Sequence, residues 1–335
     1  MNKDVLSKLR NNSTLSDEPA SEFISTGCYA LNRVITGDYS KGMPVGGILQ
    51  LQGNSSTGKT LFATTFITAA QKEGWYTKLL DAENTYSSDF GKKLGVNPEE
   101  LLYSTPRYLE EAFNDVVSTI TGIREHDKKT PILLVIDSVA VLATKEELSR
   151  DSVGDTSNTD GARRALTFGS MLRRVNTVLK EQRATLVVIN QIRSKINVMY
   201  GNPETTAAGG KALEFYLSTD LKCVSNKTSH VTRDENKKPT GITGEIKVVK
   251  NKLGVPFQEC AFRVEFDKGL DPYYGLEELL KEDGLIEISS AGRRTVGDIA
   301  FKKNTLQDLL FSKPSSNPEL NKIRTMFGIS QESLG

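Results

Sequence analysis

Apolar segments of strand length recur along the first two thirds of the chain and alternate with segments of helical periodicity. The predicted strands are Ile48–Leu51, Tyr76–Leu80, Ile132–Ile136 and Thr185–Ile189. The predicted helices are Leu61–Gln71, Glu110–Ile123 and Arg163–Glu181. Apolar strands separated by helices are typical of a parallel sheet that is buried on both faces. The pattern therefore predicts an α/β fold with a doubly wound, mostly parallel sheet, whose ligands lie beyond the carboxyl ends of its strands.

The hydrophobic pattern changes after Tyr216. Three shorter segments of alternating hydrophobicity follow: Asp220–Val224, Glu245–Val249 and Gln258–Phe266. A polar hairpin is expected near Asn226–Pro239, between the first two, and such a run of strands extends a sheet at one edge. From Leu270 the pattern predicts a small C-terminal region with helical segments at Leu276–Leu280 and Leu320–Met326.

Composition excludes several classes of protein. The 335 residues carry 43 Lys and Arg against 42 Asp and Glu, so a nucleic-acid site would have to be a local feature. Cys28, Cys223 and Cys260 are scattered and only His126 and His230 accompany them, which favours reduced, packed thiols over a zinc site. No apolar run is long enough to cross a bilayer, and the N-terminus lacks an apolar signal segment. We therefore expect a cytoplasmic protein without a membrane partner.

The octapeptide Gly53–Thr60, GNSSTGKT, fits the phosphate-binding pattern G-x-x-x-x-G-K-[ST]. It lies between a predicted strand and a predicted helix, which is the context that the pattern requires. Backbone N–H groups at the helix N-terminus would face a polyphosphate, with Lys59 at the β/γ oxygens and Thr60 on Mg²⁺. The predicted nucleotide-binding residues of this segment are Gly53, Ser55, Ser56, Thr57, Gly58, Lys59, Thr60 and Leu61.

Acidic and amide residues follow the neighbouring strands. Asp137 ends an apolar strand and is the expected second metal-orienting residue beside Thr60. Ser138 either adds a hydroxyl to the magnesium shell or caps a turn. Glu83 is either the base that activates water or a solvated loop acid. Gln191 is either a group that orients water or an amide that satisfies the backbone.

Several segments, taken in order, resemble the signature of the RecA-type recombinases. They are Leu80–Glu83, Lys93–Val96, Val135–Ala140, Ile189–Thr206 with Gly209 and Gly210, and Lys250–Phe257. The most specific of them, Asn190–Tyr216, is similar to the family's second DNA-binding loop and the helix after it. The segment Gly269–Leu276 and the short N-terminal lead are similar to the UvsX-like recombinases of bacteriophages.

The resemblance implies a RecA-like P-loop ATPase core at residues 27–267. An N-terminal segment at residues 1–26 would mediate polymerisation, with Val5, Leu6 and Leu9 docking onto the next subunit. Residues 268–335 would form a small C-terminal α/β domain. The chain as a whole would then have one ATPase core with an appendage at each end.

The resemblance also implies roles for residues of the nucleotide site. Glu83 becomes the general base, Gln191 the sensor that links the γ-phosphate to the DNA loop, and Phe90 an aromatic contact of the adenine. Lys250 and Lys252 would reach the nucleotide of the neighbouring subunit. The expected catalytic residues are Lys59, Glu83, Gln191, Lys250 and Lys252.

Two loops would contact DNA. The second loop, Ile192–Gly210, supplies cations for phosphates and apolar groups that enter between bases. Its expected DNA-binding residues are Arg193, Lys195, Met199, Tyr200, Gly201, Asn202, Gly209 and Gly210. The first loop is expected near Arg150–Arg163, with Arg163 or Arg164 on DNA. Three aspartates in that segment make a solvated loop nearly as good an interpretation.

The function implied is that of an ATP-dependent recombinase with ATP and Mg²⁺ as cofactors. Its partners would be single-stranded DNA, homologous duplex DNA, further copies in a helical filament, and single-strand-binding and mediator proteins. For a bacteriophage member the compartment would be the host cytoplasm. The alternatives are a hexameric helicase or loader of the same fold, and a non-catalytic filament-regulating paralogue. Intact Lys59, Glu83, Asp137 and Gln191 argue against the paralogue.

Overall fold

The computed structural model describes residues 22–149, 160–194, 204–206, 210–224 and 231–330. The strands are β1 (Phe23–Ile24), β2 (Met43–Pro44), β3 (Ile48–Gly53), β4 (Tyr76–Asp81), β5 (Leu101–Ser104), β6 (Ile132–Asp137), β7 (Ala184–Ser194), β8 (Glu204–Thr206), β9 (Thr219–Val224), β10 (Val231–Arg233), β11 (Pro239–Asn251), β12 (Glu259–Glu265), β13 (Gly269–Leu270), β14 (Glu287–Ile288), β15 (Arg294–Val296) and β16 (Ile299–Phe301). The α-helices are α1 (Tyr29–Thr36), α2 (Lys59–Lys72), α3 (Ser88–Lys93), α4 (Leu109–His126), α5 (Lys145–Leu148), α6 (Asp160–Glu181), α7 (Gly210–Tyr216), α8 (Leu276–Glu282), α9 (Leu306–Leu310) and α10 (Pro318–Met326).

A large mixed sheet forms the centre of the molecule, with the strand order β13-β12-β11-β9-β3-β7-β6-β4-β5. All strands from β9 to β5 run parallel. At the other edge the pairs β9–β11, β11–β12 and β12–β13 are antiparallel. These pairings confirm the predicted doubly wound, mostly parallel α/β fold and its extension at one edge.

Helices cover both faces of the sheet because both faces of its central strands are apolar. On one face Leu49 and Leu51 of β3 join a cluster that includes Phe62 and Phe66 of α2. On the other face Ile48 joins a cluster built with side chains of α4, α6 and α7, Phe113 and Phe168 among those of α4 and α6. Successive residues of a strand point to opposite faces, so β3 contributes to both clusters. The P-loop therefore rests on a sheet that is packed from both sides.

The predicted strands and helices of the core are confirmed, with bounds that differ by a few residues. Strand β11 begins at Pro239, well before the predicted Glu245. Among the parallel strands the largest difference is β7, which continues past Ile189 to Ser194. Its extension has a partner because Asn190 and Gln191 lie in register with Gln52 and Gly53 of β3. The polar hairpin predicted between β9 and β11 contains β10, which pairs with the start of β11.

The C-terminal region adds an antiparallel sheet, β14-β15-β16, and the helices α8 to α10. Its buried side chains, such as Leu280 and Ile323, belong to the same cluster as Leu31 of α1. Arg33 of α1 also forms an ion pair with Asp283 at 2.6 Å. The predicted C-terminal helices are confirmed, and the domain boundary at residue 267 stays a prediction.

Several short elements were not predicted, among them α1, α3, α5, α9, β1, β2, β5, β8, β13 and the strands β14 to β16. Strands of two or three residues are too short to show a hydrophobic period. The expected docking residues Val5, Leu6 and Leu9 of the N-terminal segment lie outside the described residues.

Candidate nucleotide site

The P-loop lies at the carboxyl end of β3, in the middle of the sheet. Gly53 ends β3 in register with Gln191 on one side and Cys223 on the other. A Cβ atom at Gly53 would lie 2.7 Å from the carbonyl oxygen of Cys223, so the close approach of β9 requires glycine here. Gly58 has a φ of 88°, in the left-handed region, and α2 begins directly after it. The loop therefore brings a helix N-terminus to the strand end, as the motif predicts.

Lys59 is folded into this loop. Its side chain is 8% exposed, and its ammonium donates to the carbonyl oxygens of Gly53 at 3.1 Å and Asn54 at 2.6 Å. Burial lowers the pKa of Lys59, and the negative charges of Asp137 and Glu83 oppose that shift. The positive charge thus lies inside the loop, where polyphosphate oxygens would be bound.

Thr60 and Asp137 meet in front of the loop. The Thr60 hydroxyl donates to Asp137 Oδ2 at 2.7 Å, although the residues are 77 positions apart in sequence. Burial raises the pKa of Asp137 to about 6; the hydrogen bond from Thr60 lowers it, and the charges of Glu83 and Asp81 raise it further. Two oxygen ligands beside a phosphate-binding loop fit Mg²⁺, which usually takes one or two carboxylates together with phosphate oxygens and waters. The two residues predicted to bind the metal ion are therefore brought together.

Glu83 lies beside this pair and is held by Ser138. The Ser138 hydroxyl, which is 1% exposed, donates to Glu83 Oε1 at 2.8 Å. The backbone N–H groups of Ala82 and Glu83 both donate to the carbonyl oxygen of Asp137, at 2.7 and 3.3 Å. The sequence left the role of Ser138 open, and the structure places its hydroxyl on the carboxylate of Glu83.

A pocket of about 380 Å³ opens at this strand edge, and we call it the nucleotide pocket. Its lining residues are Ser55, Ser56, Thr57, Gly58, Lys59, Thr60, Leu61, Glu83, Asp137, Ile189, Gln191, Ile242 and Phe266. Gln191 and Glu83 therefore share one cavity with the P-loop. Sequence reasoning missed Ile242 and Phe266, although Phe266 ends a predicted strand.

Phe90, the expected adenine contact, is not among the lining residues of the nucleotide pocket. It lies on α3 and its side chain is 37% exposed. The aromatic ring that does line the pocket belongs to Phe266, which directly follows β12.

Lys250 and Lys252 lie at the opposite end of the sheet. Lys250 is in register with Asp220, which pairs with Gln50, three residues before Gly53 and roughly 10 Å from it along the strand. The Lys250 ammonium donates to the carbonyl oxygen of Glu214, and that of Lys252 to the carbonyl oxygen of Phe215 at 3.2 Å. Neither lysine reaches the P-loop of its own chain.

Lys252 lines a second cavity of about 550 Å³, which we call the lysine pocket. Its lining residues are Pro44, Val45, Gly46, Gly47, Asn176, Lys180, Phe215, Tyr216, Ser218, Lys252 and Leu253. Burial lowers the pKa of Lys252, and the positive charges of Lys250 and Lys180 lower it further. The charge of Lys252 is therefore disfavoured both by burial and by two neighbouring cations.

The expected DNA-binding residues of the second loop lie largely outside the described part of the chain. Those outside it are Lys195, Met199, Tyr200, Gly201, Asn202 and Gly209. Of the others, Arg193 lies on β7 with its backbone in register with Thr205 of β8, and Gly210 begins α7.

Arg163 and Arg164, expected on the first DNA-binding loop, lie within helix α6. Arg163 forms an ion pair with Glu146 at 2.8 Å, and Arg164 donates to the carbonyl oxygen of Leu142 at 2.6 Å. The helix therefore begins earlier than the predicted Arg163, and both guanidinium groups already contact the segment around α5.

No helix within the described ranges is long and apolar enough to cross a membrane. Within those ranges no group of three or more His, Cys, Asp or Glu side chains could hold a metal ion. Cys28, Cys223 and Cys260 are buried free thiols.

The fold and this site define a P-loop nucleotide-binding protein with a doubly wound sheet. Comparison with known proteins narrows the class, because the RecA N-terminal domain family matches residues 3–271. The chain belongs to the RecA family of ATP-dependent DNA recombinases.

Individual relatives show the same affiliation. The Protein RecA of Thermus aquaticus is 37% identical over 246 residues, which cover 73% of this chain and 68% of that protein. The Protein RecA of Lactococcus lactis subsp. cremoris is 35% identical over 268 residues, covering 80% of this chain and 66% of that protein. The Protein RecA of Kineococcus radiotolerans is 33% identical over 319 residues, which cover 94% of this chain and 86% of that protein. The chain thus spans about two thirds of the length of the first two relatives. The bacteriophage affiliation stays a prediction.

Proposed function

We propose that this protein is a DNA-dependent ATPase that forms helical filaments on single-stranded DNA and exchanges that strand with homologous duplex DNA. The observation that carries the proposal is the grouping of Lys59, Thr60, Glu83, Asp137 and Gln191 at one strand edge. A protein that only bound nucleotide would have no need of a carboxylate such as Glu83 held beside the two predicted metal ligands, Thr60 and Asp137. The family membership supports the same activity.

The P-loop residues bind and orient the polyphosphate of ATP. Backbone N–H groups at the start of α2 donate to its oxygens, and the Lys59 ammonium exchanges its loop carbonyls for the β/γ oxygens. Thr60 and Asp137 hold Mg²⁺, which when bound neutralises phosphate charge. The adenine ring lies against Phe266 or Phe90. Phe266 lines the nucleotide pocket, and Phe90 follows from the family resemblance.

Glu83 accepts a proton from the attacking water. The Ser138 hydroxyl and the backbone of the Ala82–Glu83 turn keep the carboxylate in place. Because one oxygen of Glu83 accepts from Ser138, the other can receive the proton of water. Gln191 lines the same pocket and contacts the γ-phosphate in this proposal. The DNA loop Ile192–Gly210 follows it directly in sequence.

Lys250 and Lys252 complete the site of the neighbouring subunit. In their own chain they lie at the amino end of β3, away from the P-loop edge, and their ammonium groups donate to carbonyl oxygens of helix α7. Two cations supplied by a neighbour would stabilise charge on the γ-phosphate as an arginine finger does. ATP placed between subunits also favours assembly, since a ligand stabilises the state that binds it best.

DNA binding is assigned to the segment Ile192–Gly210, and the pairing of homologous strands to base complementarity. We place the protein in the cytoplasm, or the host cytoplasm for a bacteriophage protein, with single-strand-binding and mediator proteins as partners. Residues 27–267 form the ATPase core in this proposal, 268–335 the C-terminal domain and 1–26 the polymerisation segment. Deletion of Met1–Asn12 should shorten filaments; full-length filaments would contradict the role of that segment.

The test combines hydrolysis and microscopy on the purified chain. ATP hydrolysis is measured with and without single-stranded DNA, and filaments are imaged with a slowly hydrolysed ATP analogue. We expect stimulated hydrolysis, helical filaments, and strand exchange with homologous but not with unrelated duplex. Closed rings that unwind duplex would indicate a hexameric helicase or loader. ATP binding without DNA-stimulated hydrolysis would indicate a non-catalytic paralogue.

A further inference from the structure

The turn that carries Glu83 joins β4 to α3, and its residues 82–87 belong to neither a helix nor a strand. Glu83 is exposed, so side-chain packing contributes little to the position of its carboxylate. That position depends on hydrogen bonds at the two ends of the turn. At the first end the carbonyl oxygen of Asp137 accepts from the backbone N–H groups of Ala82 and Glu83.

Asp81, the last residue of β4, holds the second end of the turn. One oxygen of its carboxylate, Oδ2, accepts from the backbone N–H of Tyr86 at 2.8 Å and from the hydroxyl of Tyr103 at 3.0 Å. Asp81 is 2% exposed. Because a buried carboxylate is costly unless it is hydrogen-bonded, the carboxylate and its two donors specify one another's positions. The segment that contains Glu83 is therefore tied down at both ends.

Tyr103 reaches this carboxylate from the neighbouring strand. On β5 it lies in register with Leu79 of β4, and Asp81 follows two residues later on the same face of the sheet. The Tyr103 ring also lies against the ring of Tyr86, with centroids 5.9 Å apart and planes at 34°. Tyr86 is thus held through its backbone by Asp81 and through its ring by Tyr103. A shift of the turn at Tyr86 would disturb both contacts.

We propose that Asp81 and Tyr103 are positioning residues for Glu83, which fix the turn so that its carboxylate faces the nucleotide pocket. Neither side chain is among the lining residues of that pocket, so their effect on hydrolysis is conveyed by the turn. The inference rests on the proposed function, in which Glu83 accepts a proton from the attacking water. It extends the support of the base from Ser138 to β5, at the edge of the sheet.

Tyr103→Phe is the first test, because it removes one hydroxyl and leaves the ring and the charge of Asp81 in place. We expect kcat for ATP hydrolysis to fall at least about fivefold, since a small displacement of a catalytic group slows the reaction. ATP affinity should stay within about twofold of the wild type, because the P-loop is untouched. Tyr76→Phe removes another exposed tyrosine hydroxyl, at the far end of β4, and is the matched control. It should change neither quantity.

A double-mutant cycle with Glu83→Gln shows whether Tyr103 acts through the base. Without the base, a displaced turn has no further effect on proton transfer. Tyr103→Phe should therefore change the residual hydrolysis of Glu83→Gln by less than about twofold. Radiolabelled ATP makes that slow rate measurable. The same loss in both backgrounds would assign Tyr103 a general structural role and would overturn the proposal.

Two substitutions of Asp81 separate its hydrogen bonds from its charge. Asp81→Asn keeps an oxygen that can accept from both donors, so hydrolysis should stay within about threefold of the wild type. Asp81→Ala removes the acceptor, and hydrolysis should fall at least about tenfold. Equal losses in the two variants would attribute the effect to the charge and contradict the proposal. If Asp81→Ala does not fold, the cycle with Tyr103→Phe decides.

The measurements use the full chain, with and without single-stranded DNA, so that two failures can be told apart. A wild type whose hydrolysis is not stimulated by DNA contradicts the proposed function, and the cycle then decides about Tyr103 from the basal rate. A stimulated wild type that Tyr103→Phe equals in kcat contradicts only the positioning role. A wild type without any hydrolysis contradicts both.

Discussion

The two ends of β3 carry different kinds of charged group. At the carboxyl end Asp137 and Glu83 already accept hydrogen bonds from the hydroxyls of Thr60 and Ser138. At the amino end the described lining of the lysine pocket includes Lys180 and Lys252 but no acidic residue. One end therefore has acids with fixed partners, and the other has cations, of which Lys250 and Lys252 donate to helix carbonyl oxygens. Under the proposed function the two ends are complementary halves of one site, joined when subunits stack.

The largest effect should come from the acid of the carboxyl end. Glu83→Gln keeps the shape of the side chain but removes the base, so hydrolysis should fall about 1,000-fold. ATP affinity should change only a few-fold, because binding uses the P-loop. Glu73→Gln, an exposed acid just past α2, is the control and should retain full activity. If Glu83→Gln hydrolysed ATP at a rate within tenfold of the wild type, Glu83 would not be the general base.

The next effect concerns the cation within the P-loop. Lys59→Ala should lower hydrolysis about 100-fold and weaken ATP binding as well, since the ammonium contacts the phosphates in both states. Nucleotide titration and steady-state hydrolysis measure the two effects. Lys72→Ala, at the far end of the same helix, should change neither. If Lys59→Ala weakened ATP binding but kept normal turnover at saturating ATP, Lys59 would bind the ground state and the transition state equally well.

Substitutions at the amino end should separate stimulated from basal activity. Lys250→Ala or Lys252→Ala should lower DNA-stimulated hydrolysis at least about tenfold, because charge on the γ-phosphate loses its partner in the next subunit. Basal hydrolysis and ATP affinity should stay within a few-fold. Lys247→Ala, on the same strand but paired with Glu259, is the matched control. Normal stimulation in both variants would mean that the two ends of β3 do not meet between subunits.

The smallest effect should come from Ser138, whose hydroxyl holds the carboxylate of Glu83. Ser138→Ala leaves Glu83 in place but removes its hydrogen bond, so hydrolysis should fall about fivefold. Ser118→Ala, an exposed hydroxyl on α4, provides the comparison. An effect as large as that of Glu83→Gln would instead assign Ser138 a direct part in the reaction, such as contact with the metal ion.

Prediction from sequence succeeded where a feature depends on neighbouring residues. The P-loop is a local motif, and β3, β4 and β6 were recognised as strand-like runs of the right length. Their acids could be placed at one edge because carboxyl ends of parallel strands meet there. The same rule placed Thr60 near Asp137, and their side chains are hydrogen-bonded at 2.7 Å.

Prediction failed where a feature depends on strand order or on individual side-chain directions. Ile242 and Phe266 reach the nucleotide pocket because the antiparallel strands β11 and β12 lie beside β9. The hydroxyl of Ser138 is equally suited to a metal, a turn or a carboxylate until the turn after β4 brings Glu83 within 2.8 Å. Arg163 was expected at a loop edge, but the helix begins before it.

The sequence by itself determined that a nucleotide-binding loop joins a strand to a helix, and that the core alternates strands with helices. Both follow from spacing within a few residues, which the backbone conformation of each residue controls. Only the tertiary structure decided that Asp220 lies against Gln50, 170 positions away, and that the lysine pair lies at the opposite end of β3 from Lys59. Such relations depend on which strands are neighbours, and that is settled by packing of the whole sheet between its two layers of helices.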